Sequence, residues 1–260
     1  MPCYRICFVV AVFVLASCSG DDKPVRCAPI SISPGMYDDG IVNFRRDAHF
    51  NVIEVSSGSN GESDMFKYDD RGMLTTVQHV SAFGDLSETT LKYDANDRVI
   101  STSAIIVNSQ SVVVHEEVLF FYDEQDRLFR KVKFIEGNYF STLTYEYVGR
   151  NAVNVFYESI EEERVTAMVM LAFDSQKRFF AGDKALTAYF VYVRGVEPSE
   201  NNVLAALVRK PYPLITYDEP KELKLGLTYD DQGRPISHVI ISGPDTAHER
   251  LFEEIDYSCQ

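Results

Sequence analysis

Short stretches in which apolar side chains fall near every second position recur along this chain. The clearest are Ser111 to Tyr122 (SVVVHEEVLFFY), Arg127 to Glu136, Tyr139 to Val148 and Arg164 to Phe173 (RVTAMVMLAF). They are rich in Val, Thr, Tyr and Phe, and their partial alternation is the mark of strands with one face toward a core. Turn-forming clusters separate them: Gly58 to Gly61, Asn108 to Gln110, and Gly137 with Asn138. Strands of about nine residues would be roughly 30 Å long. No segment longer than a turn or two presents a helical face; Val203 to Val208 (VLAALV) comes nearest and is ambiguous at that length. The pattern predicts an all-β chain.

A different pattern opens the sequence. One positive charge, Arg5, precedes the unbroken apolar run Ile6 to Leu15, the length of a secretory core and too short to cross a bilayer. It closes on Leu15, Ala16, Ser17 and Cys18, which resembles the lipobox of bacterial lipoproteins. The resemblance implies a signal peptide over 1–17 and acylation of Cys18. Stable attachment needs two or more acyl chains, so a triacylated cysteine would be a lasting membrane tether. Ser19 to Lys23 form a polar linker, and its acids Asp21 and Asp22 resemble the surface-export signal of Bacteroidetes lipoproteins. No second apolar run of spanning length follows. The expected location is the outer membrane, lipid-anchored, on its periplasmic or its surface side. The expected division is signal peptide 1–17, lipidated cysteine and tether 18–39, and one β domain 40–260.

One phrase punctuates the strands: an aromatic, then Asp, then Arg five positions after the aromatic. It reads Tyr93-Asp94 with Arg98, Tyr122-Asp123 with Arg127, Phe173-Asp174 with Arg178, and Tyr229-Asp230 with Arg234, and Tyr68-Asp69 to Leu74 is a copy whose Arg71 comes two positions earlier. Tyr147 to Asn151 is a shortened copy, and Phe44 to Ile53 a degraded one around Asp47. From Tyr68 the steps are 25, 29, 25 and 26 residues, then 56 from Phe173 to Tyr229, as if one copy had drifted near Ser199 to Val203 (SENNV). A fixed period means a stacked unit. The Asp side chain can bond its own backbone, the residues after it tolerate left-handed geometry, and Arg begins the returning strand, so each phrase predicts a hairpin turn. Seven or eight hairpins give an antiparallel meander of about 14–16 strands, more than an open twisted sheet holds without curling. The expected form is a barrel-like or half-open barrel wall.

The phrase resembles the YD repeats of RHS-type proteins, which wind into a β wall around a cavity. It is more similar to the repeats of an uncharacterised Bacteroidetes lipoprotein family with a porin-like β fold, over about residues 40–257. Leu227 to Pro235 is the most typical copy, and SENNV is similar to that family's Asn-Asn turn. The family has no assigned activity, so the resemblance implies fold and location and no catalytic residue. Lys177 and the missing copy near residue 200 depart from the pattern and leave the strand count open.

Charge narrows the partners. The chain carries a formal −14, and without Arg5 the mature chain has 24 basic against 39 acidic residues. Nucleic-acid binding draws its affinity from neutralising phosphates, so this balance and the absence of a basic cluster disfavour it. Of five cysteines, Cys27 and Cys259 remain beside the acylated Cys18 once Cys3 and Cys7 leave with the signal. They are a candidate disulfide in an oxidising envelope, with two free thiols as the alternative.

Neither those cysteines nor the scattered His49, His79, His115, His238 and His248 stand at metal-ligand spacing, so no cofactor is expected. Phosphate loop, dinucleotide fingerprint and nucleophile elbow are missing. Glu116 and Glu117 are adjacent strand residues that point to opposite faces, a poor start for paired-acid hydrolysis. The repeated Asp69, Asp94, Asp123, Asp174 and Asp230 could line a rim for calcium, though turn formation already explains them. The least repeat-like stretch contains Tyr189, Tyr192, Arg194, Arg209, Tyr212 and Tyr217, which are the ligand-binding candidates. The reading is a non-enzymatic envelope scaffold that binds a glycan, peptide or apolar ligand. A polysaccharide hydrolase or an accessory subunit of an outer-membrane assembly are the alternatives.

Overall fold

The computed structural model describes residues 27–32, 42–57, 61–178, 180, 183–196, 198–208, 221–242 and 251–259. Sixteen strands follow one another: β1 Cys27–Ile32, β2 Val42–Arg46, β3 Val52–Ser57, β4 Ser63–Tyr68, β5 Leu74–Val80, β6 Leu86–Tyr93, β7 Val99–Val107 and β8 Val113–Tyr122. The second half comprises β9 Leu128–Ile135, β10 Asn138–Val148, β11 Asn151–Ser159, β12 Val165–Lys177, β13 Asn201–Val208, β14 Lys221–Tyr229, β15 Pro235–Ser242 and β16 Leu251–Cys259. Each pairs antiparallel with its sequence neighbours, and β1 pairs with both β2 and β16, so the meander closes into a barrel. Closure removes the two edges that an open meander would leave unpaired. Among the described residues the barrel already includes Cys27–Ile32, ahead of the expected boundary at residue 40, because β1 bridges β16 and β2.

The repeated phrase explains itself at the corners. One carboxylate oxygen of Asp94 accepts the backbone N–H of Asn96 (2.9 Å) and Arg98 (3.0 Å), and the other accepts Arg98 Nε at 2.7 Å. Asp123 does the same with Gln125 and Arg127, and Asp230 with Gln232 and Arg234. Asp47 and Asp69 hold the two backbone N–H groups likewise. Three residues after each Asp the backbone turns left-handed, at Phe50, Gly72, Asp97, Asp126 and Gly233, with φ between 59° and 74°.

The aromatic that opens the phrase reaches backward. Tyr93, Tyr122 and Tyr147 donate their hydroxyls to the carbonyls of Leu74, Val99 and Leu128, each at 2.7 Å, and Tyr257 to Pro235 at 3.0 Å. Tyr68 donates to Val52 in the same way. Each acceptor is the first residue of the previous repeat's returning strand. Arg98, Arg127 and Arg234 lie over the rings of Tyr122, Tyr147 and Tyr257 at 4.7–4.9 Å, so these copies are fastened to the next by a hydrogen bond and a cation–π contact.

A β-bulge follows each corner. Tyr68 faces Leu74 while Lys67 faces Thr76, leaving Thr75 as an extra residue; Ile53, Ile100, Phe129, Val153 and Ile236 are its counterparts. The extra residue shifts the inward positions from i, i+2 to i, i+3, as in the buried pairs Val52 and Val55, Leu74 and Val77, and Ala152 and Val155. That shift is why alternation in the sequence is only partial.

One corner departs from expectation. Phe173 to Arg178 makes no hairpin, since β12 continues to Lys177 and returns only at Asn201. The corner is split: Asp174 accepts the backbone N–H of Gln176 (3.0 Å) and then that of Asn202 (3.2 Å), and its second oxygen takes Asn202 Nδ2 (3.1 Å) where other copies present Arg. SENNV is therefore the second half of this corner and not a separate copy. The intervening chain holds a helix, α1 Lys184–Ala188, which continues as a π-helical turn Tyr189–Val193. The sequence pattern predicts no helical face there, while VLAALV lies in strand β13.

Candidate functional site

The segment inserted at the split corner folds into the barrel from the rim of aspartate corners and plugs it. Its start is fixed by Asp183, whose carboxylate accepts the N–H of Ala185 and Leu186 at 3.0 Å and pairs with Arg46 on β2 at 3.0 Å. Leu186 and Tyr189 are among the most deeply buried side chains. The Tyr189 ring packs on Phe66 of β4, and Tyr192 meets Phe120 of β8 edge-on, both with centroids 5.0 Å apart.

Polar contacts lock the plug to the wall. Asp64 on β4 is 3% exposed and accepts Arg194 Nη2 at 2.5 Å and the Tyr189 hydroxyl, while its other oxygen meets His79 Nδ1 at 2.9 Å. Arg194 Nε also donates to the Tyr189 oxygen at 2.7 Å. The Tyr122 and Tyr192 hydroxyls are hydrogen-bonded at 2.9 Å, and Lys131 Nζ on β9 donates to the Val191 carbonyl at 2.8 Å. Burial first, and then the charge of Asp64, push the Tyr189 hydroxyl far above its ordinary value, so it stays a neutral donor.

Beyond the plug lies a cavity of about 390 Å³. Tyr192, Val193 and Gly195 of the plug form part of its lining, and Val118, Phe120, Leu143, Tyr145, Val155 and Met168 supply most of an apolar wall. From the plug it extends along β6 to β12 toward the opposite rim, where Glu116, Lys133, Phe140 and Tyr157 line it. The volume is that of a small-molecule site, about 300–1,000 Å³, and so is the lining, largely apolar with a few placed polar groups. Lys133 Nζ pairs with Glu116 Oε2 at 2.5 Å and lies 5.6 Å from the Phe140 ring.

Of the candidates read from the sequence, Tyr189, Tyr192 and Arg194 come together in the plug, and Tyr192 reaches the cavity. Arg209, Tyr212 and Tyr217 lie outside the described residues, as do the signal peptide and Cys18. Cys27 and Cys259 are register partners across the β1–β16 seam. Carboxylates of the repeated aspartates are engaged by backbone N–H groups and arginines, and among the described residues no cluster could hold a metal. Sequence reasoning missed Lys131 and Lys133 as a pair. They were legible only as charges at alternate positions of β9, and the bulge at Phe129 decides which face those positions take.

No protein-family profile and no curated protein matches the sequence. Solved structures do. A porin-like protein from Bacteroides uniformis superposes with a TM-score of 0.53 at 11% identity, covering 88% of this chain and 96% of that one. The chain has a porin-like β fold. A second porin-like protein, from Bacteroides vulgatus, gives a TM-score of 0.44 at 9% identity over 88% of this chain and 98% of its own. At this identity the likeness concerns the path of the chain alone.

Proposed function

We propose that this protein is a membrane-anchored envelope lipoprotein, held through Cys18 after removal of residues 1–17, whose YD-repeat barrel is a closed-bottomed receptacle for a small apolar ligand. The observation that carries the proposal is the apolar cavity inside the barrel, floored by a segment that the repeat pattern does not require. A chain needing only structural closure would turn at Asp174 as it turns at Asp123.

The barrel wall argues against the membrane as its solvent. Lys67, Glu88, Lys92 and Glu117 stand exposed on the outer face, and a charge there would be costly if that face met lipid. An acyl anchor would supply the attachment that the strands do not. Glu116 is the one carboxylate among the described lining residues, and Lys133 holds it, so the geometry supports binding over hydrolysis by two opposed acids. A subunit role has one observation behind it: Phe83, Leu86, Ile105 and Val113 are exposed large hydrophobic side chains on neighbouring elements.

Two measurements test the proposal. Intact-mass and fractionation analysis of the expressed protein should find Cys18 acylated and the chain in the membrane fraction, with Cys18→Ser releasing it. Native mass spectrometry of the purified chain should find a small apolar molecule retained, and Leu143→Glu should abolish its retention. A soluble, unmodified Cys18 would overturn the anchor, and a cavity that takes up no apolar compound would overturn the receptacle.

A further inference from the structure

We infer that the cavity selects amphiphiles with a single apolar chain and an anionic head, and that Lys133 is the head-group recognition element. The inference rests on the receptacle reading and adds the chemical class of its ligand. Lys131 and Lys133 occupy successive inward positions of β9, and both line the cavity. Lys131, 6% exposed, is given to the Val191 carbonyl of the plug at 2.8 Å, and Lys133 lies one inward position nearer the open end.

The sign is informative because the chain as a whole is strongly acidic at −14. Among the described lining residues the balance is reversed, two lysines against Glu116. Glu116 meets Lys133 at 2.5 Å near the rim away from the plug, and Ser141 is the register partner of Lys133 on β10. A carboxylate or phosphate arriving there can take over Lys133 and a hydroxyl, displacing Glu116 toward solvent. Its chain then runs along Val118, Leu143, Val155 and Met168. Glu116 acts in this scheme as a stand-in for the absent head group and as its competitor.

The test is calorimetric titration of the chain from Ser19 onward, which keeps all sixteen strands, with dodecanoate, dodecyl phosphate, dodecanol and dodecyltrimethylammonium. The two anions should bind at least ten-fold more tightly than the alcohol, and the cation should bind least. Their ranking tells a carboxylate source from a phosphate source. Each methylene removed should weaken binding about four-fold, the equivalent of ~0.8 kcal/mol per buried CH₂. Glu116→Gln should tighten dodecanoate binding several-fold, Lys133→Met should erase its advantage over dodecanol, and Lys133→Arg should keep it, with melting curves confirming that each variant folds. Dodecanol binding as tightly as dodecanoate would overturn the head-group assignment and leave the apolar receptacle standing. Failure of all four compounds to bind would overturn both.

Discussion

At the scale of single residues, the corner aspartates carry the repeat. Hydrogen bonds from the Arg98 backbone N–H and then its guanidinium hold the Asp94 carboxyl below the ordinary carboxylate range. At Asp123 and Asp230 burial pushes upward, and the bonds from Arg127 and Arg234 outweigh it, so those values are also lowered. A depressed folded-state value means that these groups contribute stability above the unfolded Asp value, about 3.9. That contribution is lost as pH falls through the lower folded-state values. Urea midpoints should therefore be flat near neutrality and fall steadily below about pH 4. The combined Asp94→Asn and Asp123→Asn variant should start lower and fall less. The tyrosine latch is separable from charge. Tyr147→Phe removes the bond to Leu128 and leaves that carbonyl short of a partner, at a cost of about 1–2 kcal/mol. The readout is a shifted urea midpoint with an unchanged slope.

Among the elements, the plug differs in kind from the strands around it. Its α-helical part is five residues long, far below the length at which a helix is stable alone, so the barrel wall holds it in place. Asp64 is the central fastening, with partners on the plug at Tyr189 and Arg194 and on the wall at His79. Asp64→Ala should loosen the plug before it unfolds the barrel. The Arg194 side chain is 44% exposed, which keeps the loss near the lower end, about 1–3 kcal/mol, of what a broken buried pair costs. Limited trypsin digestion should then cut after Lys184 or Arg194 at least ten-fold faster, while circular dichroism keeps the strand signal. Equal cleavage of both proteins would mean that ring packing, such as Tyr189 on Phe66, suffices to seat the plug. The strand elements themselves were legible, because the turn residues that bound them act locally. The plug was not. Its opening Asp183-Lys184-Ala185-Leu186 carries a helix N-cap signal, but five residues are too few for a periodic face to emerge.

For the whole molecule the decisive event is closure, which joins residues more than two hundred positions apart. The register places Cys27 opposite Cys259, and a disulfide there would staple the ring at its seam. The oxidised protein should be lighter by two hydrogens. Reduction, or Cys259→Ser, should lower stability by up to about 4–5 kcal/mol on the loop-entropy estimate. The loss should appear first as faster amide exchange in β1 and β16. Equal stability and equal exchange in the two states would mean that strand pairing alone closes the barrel. Closure also explains why one unit repeats with such fidelity: each Tyr-to-carbonyl bond reaches one repeat back, so the turns act as successive fastenings around the wall.

The sequence by itself determined the corners, their spacing and the antiparallel meander, because an aspartate that bonds the two N–H groups following it needs no distant partner. It also determined that the meander must curl, since about sixteen strands cannot lie in one open twisted sheet. Only the tertiary structure decided that Asp174 and Asn202 form one corner, that the chain between them enters the barrel, and which side chains face inward. Those facts depend on bulges and on contacts such as Arg46 with Asp183, Asp64 with Arg194 and Lys131 with Val191. Such contacts span 60 to 137 residues and leave no local period to read.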